Sequence, residues 1–63
     1  MNYEYHLFKN NMNSYRIVET DLFTKESEIY HLSWVLLNKE KYDVPVRSRI
    51  LNWLKENHPE LTI

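Results

Sequence analysis

Apolar and polar residues alternate in two short segments near the start of the chain. In residues 3–8, Tyr3, Tyr5 and Leu7 alternate with Glu4, His6 and Phe8. In residues 15–18, Tyr15 and Ile17 alternate with Arg16 and Val18, so Phe8 and Val18 give the second face some apolar character too. Period-two alternation with aromatic and β-branched residues is typical of β-strands. The segment between them, KNNMN, is rich in asparagine, which tolerates positive φ in a chain that has no glycine. The pattern predicts a β-hairpin over residues 2–23.

A different pattern follows in residues 24–42, where apolar residues recur at the helical period. Thr24 is a candidate N-cap, and Glu26 and Glu28 would lie in the first turn, where carboxylates favour the helix dipole. The apolar residues form two adjoining stripes: Ile29, Leu32, Val35 and Leu36 in one, and Tyr30, Trp34 and Leu37 in the other. We therefore predict a helix over residues 24–42 with an unusually wide apolar surface.

A second helix is predicted over residues 44–58. Asp43 is its candidate N-cap, Pro45 suits the first turn, and Pro59 disfavours its continuation. The predicted fold class is therefore α+β. A small β-hairpin is followed by two α-helices (ββαα) within a single domain, residues 1–63.

The size and composition of the chain predict self-association. Its 63 residues are 43% hydrophobic and 14% aromatic, which is typical of a folded chain. A domain this small is only marginally stable and usually needs disulfides, a metal or oligomerisation. The chain has no cysteine, and its three histidines are far apart in sequence. We expect no metal and no cofactor, and we expect a homodimer.

The wide apolar surface of the first predicted helix has two interpretations. It could be the centre of one compact core, packed against the hairpin and the second helix. Alternatively, part of it is a partner interface, because aromatic residues are enriched at the centres of such contacts. The candidate interface residues are Tyr30, Trp34, Leu37 and Tyr42.

Charge and patterning bear on other classes of function. The net charge of −1 is not that of a general nucleic-acid binder, whose usual signature is a basic domain. No basic region followed by an apolar run begins the chain, and no apolar stretch approaches a membrane span. We therefore expect a cytoplasmic protein that does not bind membranes. No serine has an evident histidine and acid partner, so we expect no catalytic activity.

Residues 39–57, KEKYDVPVRSRILNWLKEN, suggest a second function. Lys41 and Tyr42 precede a turn at residues 43–45, and Arg47, Ser48 and Arg49 open a helix that continues through Ile50, Trp53, Leu54 and Lys55. This segment resembles the helix-turn-helix of small DNA-binding regulators and of transposase N-terminal domains. The resemblance implies that Arg47, Ser48 and Arg49 reach bases and phosphates, with Asn52 and Lys55 touching the backbone.

The function expected from the sequence is protein binding without catalysis. We expect a small module that docks on a larger protein and modulates or inhibits it by steric means. Free-standing chains of this size and type are often phage or mobile-element proteins that inhibit host machinery. One hypothesis is therefore an inhibitor of a host defence or regulatory protein. The alternative is a helix-turn-helix DNA-binding regulator that uses the second helix.

Overall fold

The computed structural model describes residues 2–37 and 45–62. Its elements, in chain order, are the strands β1 (Tyr3–Lys9), β2 (Tyr15–Asp21) and β3 (Ser27–His31), the helices α1 (Leu32–Leu37) and α2 (Pro45–Asn57), and a short 3-10 helix (Pro59–Leu61). The strands form one antiparallel sheet in the order β1-β2-β3. The α+β class is confirmed, with three strands where the sequence predicted two.

The first two strands form the predicted hairpin. The Asn10 side-chain oxygen accepts hydrogen bonds from the backbone N–H groups of Met12 and Ser14, both at 3.0 Å. Asn13 adopts φ 63°, as expected for an asparagine in a chain without glycine. Local asparagine chemistry thus fixes the connection between β1 and β2.

We predicted a helix that begins at Thr24, and this prediction is wrong over its first part. Ser27–His31 is a strand that pairs with β2, and α1 begins only at Leu32. The Thr24 side chain, predicted as an N-cap, instead accepts a 3.3 Å hydrogen bond from the Glu26 N–H within a turn. Pairing with the preceding strand β2 gives these residues a ladder of backbone hydrogen bonds, which overrides their local helical pattern.

The register separates the residues of the sheet onto two faces. The more buried one, here called the tyrosine face, carries Tyr3, Tyr5, Leu7, Tyr15, Ile17, Glu19 and Tyr30. Ile17 is fully buried there, and Glu19 is 6% exposed. The opposite face, here called the outer face, carries Glu4, His6, Phe8, Arg16, Val18, Thr20, Ser27, Ile29 and His31. Apolar residues occur on both, so alternation alone did not determine the buried face.

The chain divides into two compact units, Met1–Leu32 and Ser33–Ile63. The first unit holds the sheet. In the second, Val35 of α1 and Ile50 and Leu54 of α2 are fully buried. The observed bounds of α2 are close to the predicted 44–58, while the predicted N-cap, Asp43, lies outside the described residues. The single-domain organisation stays a prediction.

Candidate functional site: the Phe23 turn

The interface predicted from the sequence is not one helical stripe. Tyr30 lies on β3 and is half-buried, whereas Trp34 and Leu37 lie on α1. Leu37 is 81% exposed, and Trp34 is half-buried. Tyr42 lies outside the described residues. Of the three residues of this set that the structure describes, Leu37 is the one that presents a large apolar surface to solvent.

The residues assigned to DNA by the helix-turn-helix resemblance lie along α2. Asn52 and Lys55 are exposed, and Ser48 and Arg49 are half-buried. Arg47 shares the buried face of α2 with Ile50 and Leu54 and is only 3% exposed. A guanidinium in that position does not suit contact with a base edge or a phosphate. The roles of the other four residues stay predictions.

The most exposed large apolar side chain of the described residues lies elsewhere, between β2 and β3. Phe23 is 86% exposed, and its neighbour Leu22 is 43% exposed. Residues 21–26 are here called the Phe23 turn. Single exposed apolar residues are common and need no explanation. What distinguishes Phe23 is the hydrogen bonding of the backbone that carries it.

Asp21 organises the turn through both its side chain and its backbone. Its Oδ1 accepts hydrogen bonds from the N–H groups of Phe23, at 2.8 Å, and Thr24, at 3.2 Å. Its backbone oxygen accepts from the Lys25 N–H at 2.7 Å, and its N–H donates to the Glu26 oxygen at 2.9 Å. A side chain that replaces backbone partners in this way is the usual role of aspartate in turns.

The remaining donors of the turn are also used. The Leu22 N–H donates to the Asn2 oxygen at 2.8 Å, and the Glu26 N–H donates to the Thr24 hydroxyl. Each backbone N–H from Asp21 to Glu26 therefore has an acceptor within the first unit. Such a turn is pre-organised, so it presents Phe23 without a large loss of conformational entropy on binding.

The turn also has a defined charge environment. The register places Glu4 in the first row of the sheet beyond the turn and Glu28 in the second row, on opposite faces, in addition to the turn's own Asp21 and Glu26. Lys25 is the one basic residue of the turn. The surroundings of Phe23 are therefore acidic, and they favour a partner surface with basic residues around an apolar pocket.

Sequence reasoning missed this turn because it assigned residues 24–28 to a helix. Two signals were available. Asp21 and Thr24 are residue types that bond their own backbone in turns, and the pair Leu22-Phe23 stands between them. Large apolar residues inside a turn cannot reach the core through strand alternation, so their exposure could have been predicted.

The remaining findings concern metals, membranes and known proteins. Within residues 2–37 and 45–62, no group of three or more histidine, aspartate or glutamate side chains is placed to hold a metal ion. No helix in the same ranges has the length and apolar character needed to cross a bilayer. The chain matches no protein-family model, no curated protein and no solved structure.

Proposed function

We propose that this chain is a small, non-catalytic, self-associating protein-binding module that docks on a larger protein and modulates or inhibits it. The observation that carries the proposal is the Phe23 turn, in which a backbone with every N–H hydrogen-bonded presents an 86% exposed aromatic side chain. Aromatic residues that fill a pocket on a partner often dominate the binding free energy of an interface.

Phe23 would contribute to binding as an anchor side chain on a pre-organised backbone. Moving an exposed phenylalanine side chain into an apolar pocket contributes about 1.5–3 kcal/mol. The half-exposed Leu22 beside it extends the apolar area. Because the backbone of residues 21–26 is already fixed, little of this free energy is lost in ordering the turn.

The charges around the turn indicate the kind of partner. The carboxylates at this end of the sheet include Asp21 and Glu26 of the turn and Glu4 and Glu28 of the adjoining strands, against the single Lys25. A partner with lysine or arginine around its pocket would be attracted over several ångströms and held in register. We therefore propose a protein partner with a basic rim. A phage or mobile-element origin, a host defence or regulatory target and a cytoplasmic location stay hypotheses.

The test begins with affinity capture from candidate host extracts, followed by titration calorimetry with the purified captured protein. Phe23→Ala should weaken binding by about ten- to a hundredfold, which corresponds to the loss of one anchor side chain. Met12→Ala is the matched control, because Met12 is 81% exposed in the other connection of the sheet. The control should bind as the unsubstituted chain does.

Two further variants separate the contribution of the turn backbone from that of α1. Asp21→Ala keeps Phe23 but removes the acceptor for two N–H groups, so it should weaken binding less than Phe23→Ala does. Leu37→Ala tests the interface predicted from the sequence. Unchanged affinity in Phe23→Ala, with the fold retained by circular dichroism, would remove the Phe23 turn from the proposal. Loss of binding in Leu37→Ala alone would transfer the site to α1.

The DNA-binding alternative receives no specific support from the described residues. It depends on basic side chains at the start of α2, and Arg47 is buried there. A regulator of this type would bind duplex DNA with an affinity that falls steeply as salt is added. Gel-shift measurements at two salt concentrations on the unsubstituted chain test this directly, and salt-sensitive binding lost in Arg49→Ala would favour it.

A further inference from the structure

The outer edge of β3 pairs with no strand among residues 2–37 and 45–62, and four of the five β3 residues are exposed. Within residues 2–37, β3 pairs with β2 alone and is the last strand of the sheet. Ser27, Glu28 and His31 are exposed, and Ile29 is 61% exposed. An edge strand presents a row of backbone donors and acceptors to any other strand that fits.

The direction of these backbone groups follows from one hydrogen bond. The Asp21 N–H donates to the Glu26 oxygen at 2.9 Å, and this bond lies in the register of the β2–β3 ladder. In an antiparallel ladder, inward and outward groups alternate along a strand. The backbone N–H and C=O groups of Ser27, Ile29 and His31 therefore point away from β2, toward the outer edge of β3.

We propose that two copies of this chain associate through β3, with the strands antiparallel about a two-fold axis at Ile29. This inference rests on the self-association in the proposed function and specifies its surface. In this register Ile29 faces Ile29 of the second copy, Ser27 faces His31, and Glu28 faces Tyr30. The outward groups of Ser27, Ile29 and His31 then form about six intermolecular hydrogen bonds.

The side chains on the tyrosine face fit this pairing. Within one chain, the Tyr5 hydroxyl donates a 2.7 Å hydrogen bond to the Glu19 carboxylate directly opposite it. The ladder alternation makes that pair a non-hydrogen-bonded one, in which side chains approach most closely. Glu28 opposite Tyr30 of the second copy repeats this combination, a glutamate and a tyrosine in a non-hydrogen-bonded pair. The two-fold axis creates the pair twice.

The outer face fits as well. Val18 lies between His6 and Ile29 in one row across the sheet. Pairing at Ile29 extends this row into the second copy, so that the exposed isoleucine packs against its own counterpart. Cross-strand β-branched pairs of this kind stabilise a sheet by a few tenths of a kcal/mol up to about 1 kcal/mol each.

The charges of the sheet also favour the antiparallel arrangement. The end of the sheet at the Phe23 turn carries the carboxylates Glu4, Asp21, Glu26 and Glu28 and the cation Lys25. The end at the β1–β2 connection carries Lys9, Arg16 and His31. A two-fold pairing of β3 places the acidic end of one copy beside the basic end of the other. A parallel pairing would place carboxylates beside carboxylates.

The other edge of the sheet, β1, is less complementary to itself. Its centre is His6, so a two-fold pairing there would set His6 against His6 and Glu4 against Phe8. Neither combination joins opposite charges or β-branched side chains, although the same register sets Tyr5 against Leu7 and Tyr3 against Lys9. The choice of β3 over β1 gives the experiment its matched control.

Sedimentation equilibrium over a dilution series tests the pairing with proline variants on the two edges. Ile29→Pro removes an outward N–H without removing a bond to β2, which is where proline is tolerated in a sheet. We expect the unsubstituted chain to form dimers and Ile29→Pro to raise the dimer dissociation constant by about tenfold or more. Lys9→Pro removes an outward N–H of β1 and should leave the constant unchanged.

Crosslinking provides a second readout, because the chain has no cysteine of its own. The two Cβ atoms of a hydrogen-bonded antiparallel pair lie about 5.5 Å apart, which is too far for an unstrained disulfide but within reach of a short bifunctional thiol reagent. Ile29→Cys should therefore give a covalent dimer when treated with a short bis-maleimide. Phe23→Cys is the control: its thiol would be more exposed, yet it should crosslink more slowly.

The outcomes separate this inference from the proposed function. A dimer that resists Ile29→Pro and does not crosslink through Ile29→Cys overturns the β3 pairing while self-association stands. A dimer weakened only by Lys9→Pro moves the interface to β1 and also overturns it. A monomer at every concentration removes self-association and the pairing together, while binding through Phe23 is judged by its own titration.

Discussion

The Tyr5 hydroxyl donates a 2.7 Å hydrogen bond to the Glu19 carboxylate, which lies directly across the β1–β2 ladder and is 6% exposed. A buried carboxylate is unfavourable unless hydrogen bonds compensate for its lost hydration. The tyrosine is thus one of the groups that allow a glutamate to occupy the tyrosine face beside Ile17.

Removing this donor should destabilise the chain. Tyr5→Phe keeps the ring but withdraws a hydrogen bond to a charged acceptor, so the free energy of unfolding should fall by about 1.5–3 kcal/mol. Urea denaturation followed by far-ultraviolet circular dichroism, which reports on the sheet, measures the change. Tyr15→Phe is the control, because the Tyr15 ring lies beneath the Lys9 ammonium, at 5.1 Å, and phenylalanine retains that contact. Equal losses in both variants would contradict a specific role for the Tyr5 hydroxyl.

Lys25 occupies a backbone conformation that its side chain disfavours. Its φ is 68°, in the left-handed region, where a β-carbon is crowded by the following carbonyl group. Asparagine tolerates this region better, so Lys25→Asn should raise the free energy of unfolding by about 0.5–1 kcal/mol. Thermal denaturation of Lys25→Asn and of the exposed control Lys55→Asn makes the comparison. A destabilised Lys25→Asn would mean that the lysine side chain makes a stabilising contact that outweighs the strain.

Arg47 is a charged residue on the buried face of α2. Its Nε and Nη2 atoms are buried and have no hydrogen-bond partner among the residues that the structure describes. Replacing a buried charge by an apolar side chain of similar length is often stabilising, so Arg47→Met should raise the free energy of unfolding by about 1–4 kcal/mol.

The matched control is Arg49→Met on the same helix, where the half-buried arginine should give no such gain. Chemical denaturation of both variants measures the change in their free energy of unfolding. A loss of stability in Arg47→Met would reveal an acceptor that satisfies the guanidinium.

Local sequence signals predicted the parts of the fold that local chemistry determines. The β1–β2 hairpin follows from alternation and from an asparagine-rich connection, and Asn13 takes positive φ. The helix Pro45–Asn57 follows from its apolar period and from Pro45 and Pro59 near its ends. Each of these signals lies within a few residues of the structure that it specifies.

The third strand could not be predicted in the same way. Residues 27–31 fit a helical stripe that continues through Leu32 and Val35, and Glu26 and Glu28 resemble a helix start. Their strand depends on pairing with β2, including the 2.8 Å contact between the hydroxyls of Thr20 and Ser27. That free energy comes from residues outside the local window, so the Phe23 turn, which joins the two strands, was missed as well.

The hydrogen bonds within the Phe23 turn also affect its susceptibility to proteolysis. Trypsin cleaves after lysine, and Lys25 is exposed. A protease must first draw several residues into an extended strand in its own cleft, and here that step would break the hydrogen bonds that Asp21 and Thr24 hold across the turn. Cleavage then requires a local opening of the native state, and its rate reflects the free energy of that opening. The peptide bond between Lys25 and Glu26 is therefore a more resistant site than its exposure alone indicates.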